Sequence, residues 1–68
     1  MIHILVNDDE TMLEQGCTLD GLLRQLSMDQ LERIAIAVND TVIRRSDWAC
    51  HQLNENDRVL VIAPIQGG

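Results

Sequence analysis

Residues 59–63 are Val-Leu-Val-Ile-Ala, so an extended chain here carries apolar side chains on both of its faces. A strand that is apolar on both faces is expected at the centre of a sheet, with neighbouring strands on either side. Pro64 follows directly and, because it has no N–H, it limits further ladder pairing. We therefore predict that residues 59–63 form the central strand around which the rest of the chain is organised.

A first hairpin is predicted at the amino terminus. Residues 2–6 alternate with period two, as in a half-buried strand, and turn-forming residues occupy positions 7–9. Residues 11–14 then predict the returning arm. The pattern leaves open whether Met12 or Leu13 points inward on that arm.

A second hairpin is predicted in the middle of the chain. Residues 34–38 form another apolar run, residues 39–40 are a tight Asn-Asp turn, and residues 41–43 return as a short partner strand. Residues 46–47 are Ser-Asp and predict one helical turn before Trp48, whose indole is expected to close a corner of the core.

One amphipathic helix is predicted between the two hairpins. Thr18 can offer its side-chain oxygen to the free N–H groups of the first turn, so it is the expected N-cap. Gly21 weakens the helix by up to about 1 kcal/mol relative to Ala. Residues 28–33 predict a polar connection or an extra helical turn. Four leucines fall on one face and are expected in the core: Leu19, Leu22, Leu23 and Leu26.

The order of elements is two strands, a helix, two strands and a last strand, with no repeat or linker between them. For the last strand to be central, it must lie parallel to the first strand and between the two hairpins. This is the β-grasp arrangement, an α+β fold with a mixed sheet of about five strands covered on one face by one helix. The expected core adds five aliphatic residues to the four leucines: Ile2, Ile4, Val6, Val59 and Val61.

The charge and composition exclude several classes of protein. The chain has five Arg, no Lys and eleven Asp or Glu, a net charge of −6, and Trp48 is its one aromatic residue. Nucleic acid is not expected as a partner, because phosphate binding needs a basic surface and single strands stack on aromatic rings. No apolar run approaches the roughly 20 residues that cross a membrane, and no signal peptide is visible, so we expect a cytoplasmic protein. The acidic side chains are expected to be solvated, and the alternative is that they dock on a basic partner.

Catalytic and metal-binding groups are not predicted. Without Lys there is no Walker A motif, and no serine lies in a GxSxG context. Two cysteines and two histidines lack the paired close spacing of structural zinc sites: His3, Cys17, Cys50 and His51. A helix N-terminus lowers the pKa of a thiol, which makes Cys17 a minor candidate nucleophile beside the interpretation that it is a small packed residue.

The chain ends in Gly67-Gly68, and two interpretations remain open for this pair. A frayed terminus tolerates glycine. A thin Gly-Gly tail also suits a narrow channel, because glycine has no Cβ and adopts any backbone conformation. In that case the terminal carboxylate is a substrate, and a second protein must activate it with ATP.

Several segments together resemble the ThiS family, the ubiquitin-like sulfur carriers of the thiamine pathway. They are residues 4–8 (Ile-Leu-Val-Asn-Asp), residues 16–19 (Gly-Cys-Thr-Leu), residues 35–39 (Ala-Ile-Ala-Val-Asn), Arg45 with Trp48, and the final Gly-Gly. The resemblance covers essentially the whole chain. Arg44 and Asn56 depart from the family pattern, which often has proline and glycine there, although Asn56 tolerates a left-handed turn conformation.

The resemblance implies a carrier and not an enzyme. A ThiF-like enzyme would use ATP to adenylate the carboxylate of Gly68, a sulfur-donating enzyme would convert it to a thiocarboxylate, and thiazole synthase, ThiG, would take the sulfur. No cofactor is expected to bind the carrier itself. Residues 1–64 would form the β-grasp domain and residues 65–68 a flexible tail, in which Gly67 keeps the chain thin and Ile65 with Gln66 sets its reach.

Three alternatives remain beside this interpretation. The small subunit of molybdopterin synthase, the MoaD family, shares the expected fold and tail. A non-covalent ubiquitin-like binding module would have incidental glycines, and a thiol protein would use Cys17.

The predicted sheet also leaves an apolar face without a helix to cover it. Leu5, Leu60 and Ile62 alternate to that face. Uncovered aliphatic side chains suggest a docking surface for the activating enzyme, and the alternative is ordinary protein surface.

Overall fold

The computed structural model describes residues 1–28 and 33–62. The predicted strands and helix are all present within these residues. Their bounds are β1 Ile2–Val6, β2 Asp9–Leu13, α1 Leu19–Gln25, β3 Ala35–Val38, β4 Thr41–Ile43, a 3-10 turn Arg45–Asp47, and β5 Arg58–Ile62. Most of the predicted connection at 28–33, the last residue of the predicted central strand, Pro64 and the tail at 65–68 lie outside the described residues, as does the expected domain limit.

The strands form one five-stranded sheet in the order β2-β1-β5-β3-β4. β5 is central, as predicted, and it pairs parallel with β1 and antiparallel with β3. Each hairpin therefore lies on one side of β5, and α1 covers the inner face of the sheet. This arrangement confirms the predicted α+β β-grasp.

The core contains one alternate set of side chains from each strand together with the leucines of α1. Ile2 of β1 pairs with Leu13, and side chains directly opposite each other in a sheet share a face. Leu13 is therefore the inward residue of β2, with 0% of its surface exposed, whereas Met12 is 50% exposed. Leu26 packs against this core while partly buried. All the other residues predicted for the core are buried, Trp48 among them, and four more join them: Leu13, Ile36, Val38 and Leu53.

Helix α1 begins and ends at specific capping interactions. The Oγ1 of Thr18 accepts a hydrogen bond from the N–H of Gly21 at 3.3 Å, so the predicted N-cap is confirmed. After the helix Ser27 has φ 60°, and this left-handed residue turns the chain away. Among the described residues, no helix is long and apolar enough to cross a membrane.

Gly21 allows the residue before the N-cap to pack closely against the helix. A Cβ at position 21 would lie 2.9 Å from the Sγ of Cys17, closer than real Cβ atoms approach. The loss of helix propensity predicted for this glycine is therefore accompanied by a close contact, and the Sγ of Cys17 would have to shift if residue 21 had a Cβ.

Trp48 closes one corner of the core, as predicted. It follows the 3-10 turn, is buried, and its Nε1–H donates to the carbonyl oxygen of Ile43 at 3.0 Å. The guanidinium of Arg45 lies 4.8 Å from the centre of the indole ring. These contacts fasten the end of the edge strand β4 to the rest of the domain.

Asp57 corrects the expectation that every acidic side chain is solvated. It is buried, and its Oδ1 and Oδ2 accept hydrogen bonds from Asn39 Nδ2 at 3.0 Å and from the N–H of Asn54 at 2.8 Å. The turn before β5 folds back on itself and encloses the carboxylate, and Asn56 within that turn has φ 71°. Asn56 therefore adopts the left-handed conformation that it was expected to tolerate.

Replacing Asp57 by Ala should lower the free energy of unfolding by about 1–3 kcal/mol, because two donors then lose their acceptor in a partly buried site. Urea titration followed by circular dichroism measures this loss. Glu10→Ala, which removes an exposed carboxylate from β2, serves as the control and should stay within about 0.5 kcal/mol of the parent. Equal effects of both substitutions would show that the hydrogen bonds of Asp57 add nothing to stability.

Candidate functional site

The side chains predicted for a partner surface lie on the sheet face that α1 leaves uncovered. Leu60 and Ile62 of β5 point away from the core and are 49% and 51% exposed. Leu5 of the neighbouring strand is on the same face and half-buried. The predicted tail residues Ile65, Gln66, Gly67 and Gly68 lie outside the described residues.

This apolar surface is wider than the three predicted residues. Ala37 of β3 pairs with Leu60, and Val42 of β4 pairs with Ala37, so apolar side chains cross three adjacent strands. Val42 is 73% exposed. We call Leu5, Ala37, Val42, Leu60 and Ile62 the outer apolar face. The sequence predicted both strands, with residues 34–38 as an apolar run, but the pairing that aligns Ala37 and Val42 with Leu60 is a tertiary property.

Charged side chains surround part of the outer apolar face. A shallow depression of about 160 Å³ lies between Leu5 and Leu60, and Asp8, Asp40 and Arg58 stand at its rim. Two carboxylates and one guanidinium give this rim an acidic character in a chain whose net charge is −6. A partner that covers the face would match it with apolar side chains and basic groups.

Two asparagines hold opposite ends of the central strand. Asn7 follows β1, and its Oδ1 accepts from the N–H of Val61 at 2.9 Å while its Nδ2 donates to the carbonyl oxygen of Val61 at 3.4 Å. Asn39 follows β3, and its Oδ1 accepts from the N–H of Arg58 at 3.0 Å. The first asparagine therefore holds the end of β5 and the second holds its beginning.

The sequence predicts both asparagines only as turn residues. The structure confirms the turns, since all four residues of the two Asn-Asp pairs have positive φ: Asn7 49°, Asp8 70°, Asn39 51° and Asp40 70°. Their contacts to β5 were missed. One signal was present, because the tripeptide Val-Asn-Asp occurs twice, at residues 6–8 and 38–40.

The thiol of Cys17 does not have the properties of an activated nucleophile. Burial raises the pKa of Cys17, and the negative charge of Glu14 raises this pKa further. Its Sγ donates to the carbonyl oxygen of Thr18 at 3.4 Å. The prediction that the helix N-terminus lowers the pKa of Cys17 is therefore wrong. The interpretation of Cys17 as a small packed residue is favoured.

The remaining candidate groups do not assemble into a site within the described part of the chain. Both cysteines are free thiols, and Cys50 is exposed. His3 is exposed, with its Nδ1 3.5 Å from a carboxylate oxygen of Glu55, and His51 is half-buried. Among residues 1–28 and 33–62, no three His, Cys, Asp or Glu side chains are grouped so that they could hold a metal ion.

The fold and the final Gly-Gly together define a class of protein, the ubiquitin-like β-grasp proteins. Comparison with known proteins narrows this class. Residues 2–68 match the model of the ThiS family. The sulfur carrier protein ThiS of Escherichia coli (strain K12) is 34% identical over 67 residues, which are 98% of this chain and 100% of that protein.

Solved structures agree at the level of the fold. A crystal structure of the thiamine biosynthesis protein ThiS from Geobacter metallireducens superimposes with a TM-score of 0.83 at 20% identity, covering 98% of this chain and 100% of that one. A solution structure of a thiamine biosynthesis protein from the same organism gives a TM-score of 0.79 at 20% identity, covering 98% and 88%. The chain belongs to the ThiS family, and it is a sulfur carrier protein and not an enzyme. The comparisons favour this family over the small subunit of molybdopterin synthase and over a non-covalent binding module.

Proposed function

We propose that this carrier works in thiamine biosynthesis and that Gly68 bears its reactive carboxylate. An oxygen of that carboxylate attacks the α-phosphate of ATP, pyrophosphate leaves, and an acyl-adenylate forms. Sulfide released by a sulfur-donating enzyme then attacks the carbonyl carbon, the bond from that carbon to the AMP oxygen breaks, and AMP leaves a thiocarboxylate on the carrier. The observation that carries the proposal is the family match, which extends through the final Gly67-Gly68.

The proposal assigns the chemistry to partner proteins. A ThiF-like enzyme binds ATP and adenylates the carrier, and ThiG accepts the sulfur for the thiazole ring, so the carrier needs no bound cofactor of its own. Gly67 keeps the tail thin, and Ile65 with Gln66 sets how far it reaches. Two free cysteines and a need for ATP suit the cytoplasm as the compartment.

Intact mass spectrometry tests this function directly. The carrier is incubated with the adenylating enzyme, ATP and a sulfur source, and it should gain the mass expected when one carboxylate oxygen becomes sulfur. Fragmentation should place the added sulfur on Gly68. The reaction without ATP is the control, and a carrier that gains no sulfur in the complete mixture would contradict the proposal.

We also propose that the outer apolar face docks the adenylating enzyme. The face lies on the strand that leads to the tail, so a partner seated there has the terminal carboxylate within reach. Its acidic rim, with Asp8 and Asp40, suits an enzyme surface that surrounds apolar side chains with basic ones.

Replacing Leu60 or Ile62 by Asp should weaken binding of the adenylating enzyme about 10-fold or more, a loss of ~1.4 kcal/mol or greater, because a charge is then buried in an apolar contact. Isothermal titration calorimetry measures the affinity, and circular dichroism checks that the fold is unchanged. Met12→Asp is a matched control, since Met12 on β2 is 50% exposed and lies on the same face, two strands from β5. Equal weakening by all three variants would show that Leu60 and Ile62 form no specific docking site.

A further inference from the structure

We propose that Asn7 is a positioning residue for the carboxyl-terminal tail, because its side-chain amide holds the end of the strand from which the tail departs. This inference rests on the proposed function of Gly68. It assigns no chemical step to Asn7. The role is to fix the place and direction in which the chain leaves the domain.

The hydrogen bonds between β1 and β5 show why an amide is needed at this point. Alternate residues of a strand direct their N–H and C=O groups to the same neighbour. Leu5 N–H donates to the carbonyl oxygen of Asp57 at 3.0 Å, and Asn7 N–H donates to that of Val59 at 2.9 Å, so Val61 is the next residue of β5 to face β1. At Asn7, however, the chain has already left β1 and turned, with φ 49°.

The side chain of Asn7 takes the place of the backbone groups that a further residue of β1 would offer to Val61. An asparagine amide has the same donor and acceptor as a peptide group. It accepts from the N–H of Val61 at 2.9 Å and donates to the carbonyl oxygen at 3.4 Å, which continues the β1 side of the ladder by one residue. The end of β5 is thus held by the side chain of Asn7 on one side and by β3 on the other.

The consequence for the reaction follows from the length of the tail. Six residues follow Ile62, and fully extended they reach at most about 20 Å. Once the enzyme's channel holds the tail extended, a change of about 10° in the direction of departure corresponds to a displacement of roughly 3.5 Å at its end. Since a misplacement of about 1 Å can cost on the order of 100-fold in rate, loosening the end of β5 should slow the chemical step more than it weakens docking.

Asn39 supplies a matched control for this inference. It occupies the same position in the second Val-Asn-Asp turn, has φ 51°, and is exposed like Asn7. Its amide holds Arg58 and the carboxylate of Asp57 at the beginning of β5, away from the tail. Glycine adopts positive φ without strain, so Asn7→Gly and Asn39→Gly each remove the amide and keep the turn.

The test compares these two variants with the parent chain in ATP–pyrophosphate exchange by a ThiF-like enzyme. Asn7→Gly should lower kcat about 10-fold and leave the KM for the carrier within about 2-fold. Asn39→Gly should leave both constants within about 2-fold, even if urea titration shows that it loses as much stability. On the protein alone, hydrogen exchange of the Val61 amide should become faster in Asn7→Gly and not in Asn39→Gly.

Each other outcome overturns the inference in a recognisable way. Equal losses of kcat in both variants would assign the effect to general destabilisation. A raised KM alone in Asn7→Gly would make Asn7 part of the docking surface, and unchanged constants would remove its role. A parent chain that supports no exchange would instead overturn the proposed function, so the two failures are distinguishable.

Discussion

Removing Gly68 should abolish adenylation of the carrier while the domain stays folded. In the proposed mechanism the reacting carboxylate would move back by one residue, away from the α-phosphate of ATP. We expect the rate to fall by orders of magnitude, because displacements of about 1 Å already cost on the order of 100-fold. The fold is expected to be unchanged because a chain end contributes little to stability. ATP–pyrophosphate exchange measures the rate, and circular dichroism checks the fold.

Three further variants make this result specific. Gly67→Ala and Gly68→Ala should slow adenylation without abolishing it, since each adds one methyl group to a tail that is proposed to pass through a narrow channel. The double variant Cys17→Ser with Cys50→Ser should exchange at the rate of the parent, because the thiols have no role in the proposed chemistry. Normal exchange without Gly68, or sulfur found on Cys17, would replace the carrier mechanism by thiol chemistry.

Replacing Leu22 by Ala should destabilise the domain by about 2–5 kcal/mol, the usual cost of a cavity left by a buried leucine. Leu22 is the residue of choice because it is on α1 and has 0% of its surface exposed. Such a loss is a large part of the 5–15 kcal/mol or so that stabilises a typical domain. Urea titration measures it through the midpoint and slope of the transition.

The same helix and its C-cap, Leu26, provide two comparisons for this prediction. Leu26 is only partly buried, so Leu26→Ala should cost less than Leu22→Ala. Arg24 is exposed on the opposite side, and Arg24→Ala should stay within about 0.5 kcal/mol of the parent. Equal and small losses in all three variants would contradict the packing of α1 on the sheet.

Much of the fold was predictable because its signals are local. The period of two in residues 2–6 and the leucine spacing after Thr18 each define which side of an element faces the core. The doubly apolar run at residues 59–63 indicated a central strand, and with the element order this left the β-grasp as the expected topology. The family could be inferred as well, because short motifs and the final Gly-Gly occur at their expected positions along the whole chain.

Other features depended on which strands lie beside each other. Leu13 is inward and Met12 outward because β2 pairs with β1 in a register that sets Leu13 opposite Ile2. The outer apolar face includes Ala37 and Val42 because β5, β3 and β4 align them with Leu60. A one-residue change of register would move each of these side chains to the other face, and local periodicity contains no information on register.

The sequence by itself determined the elements of this protein, their order, its acidic character and the Gly-Gly end that suits a carrier. Only the tertiary structure decided that Asp57 is buried between Asn39 and Asn54, and that Asn7 reaches the end of the central strand. The physical reason is distance along the chain. Asn7 and Val61 are 54 residues apart, and a hydrogen bond between them exists only after the first and last strands have been brought side by side.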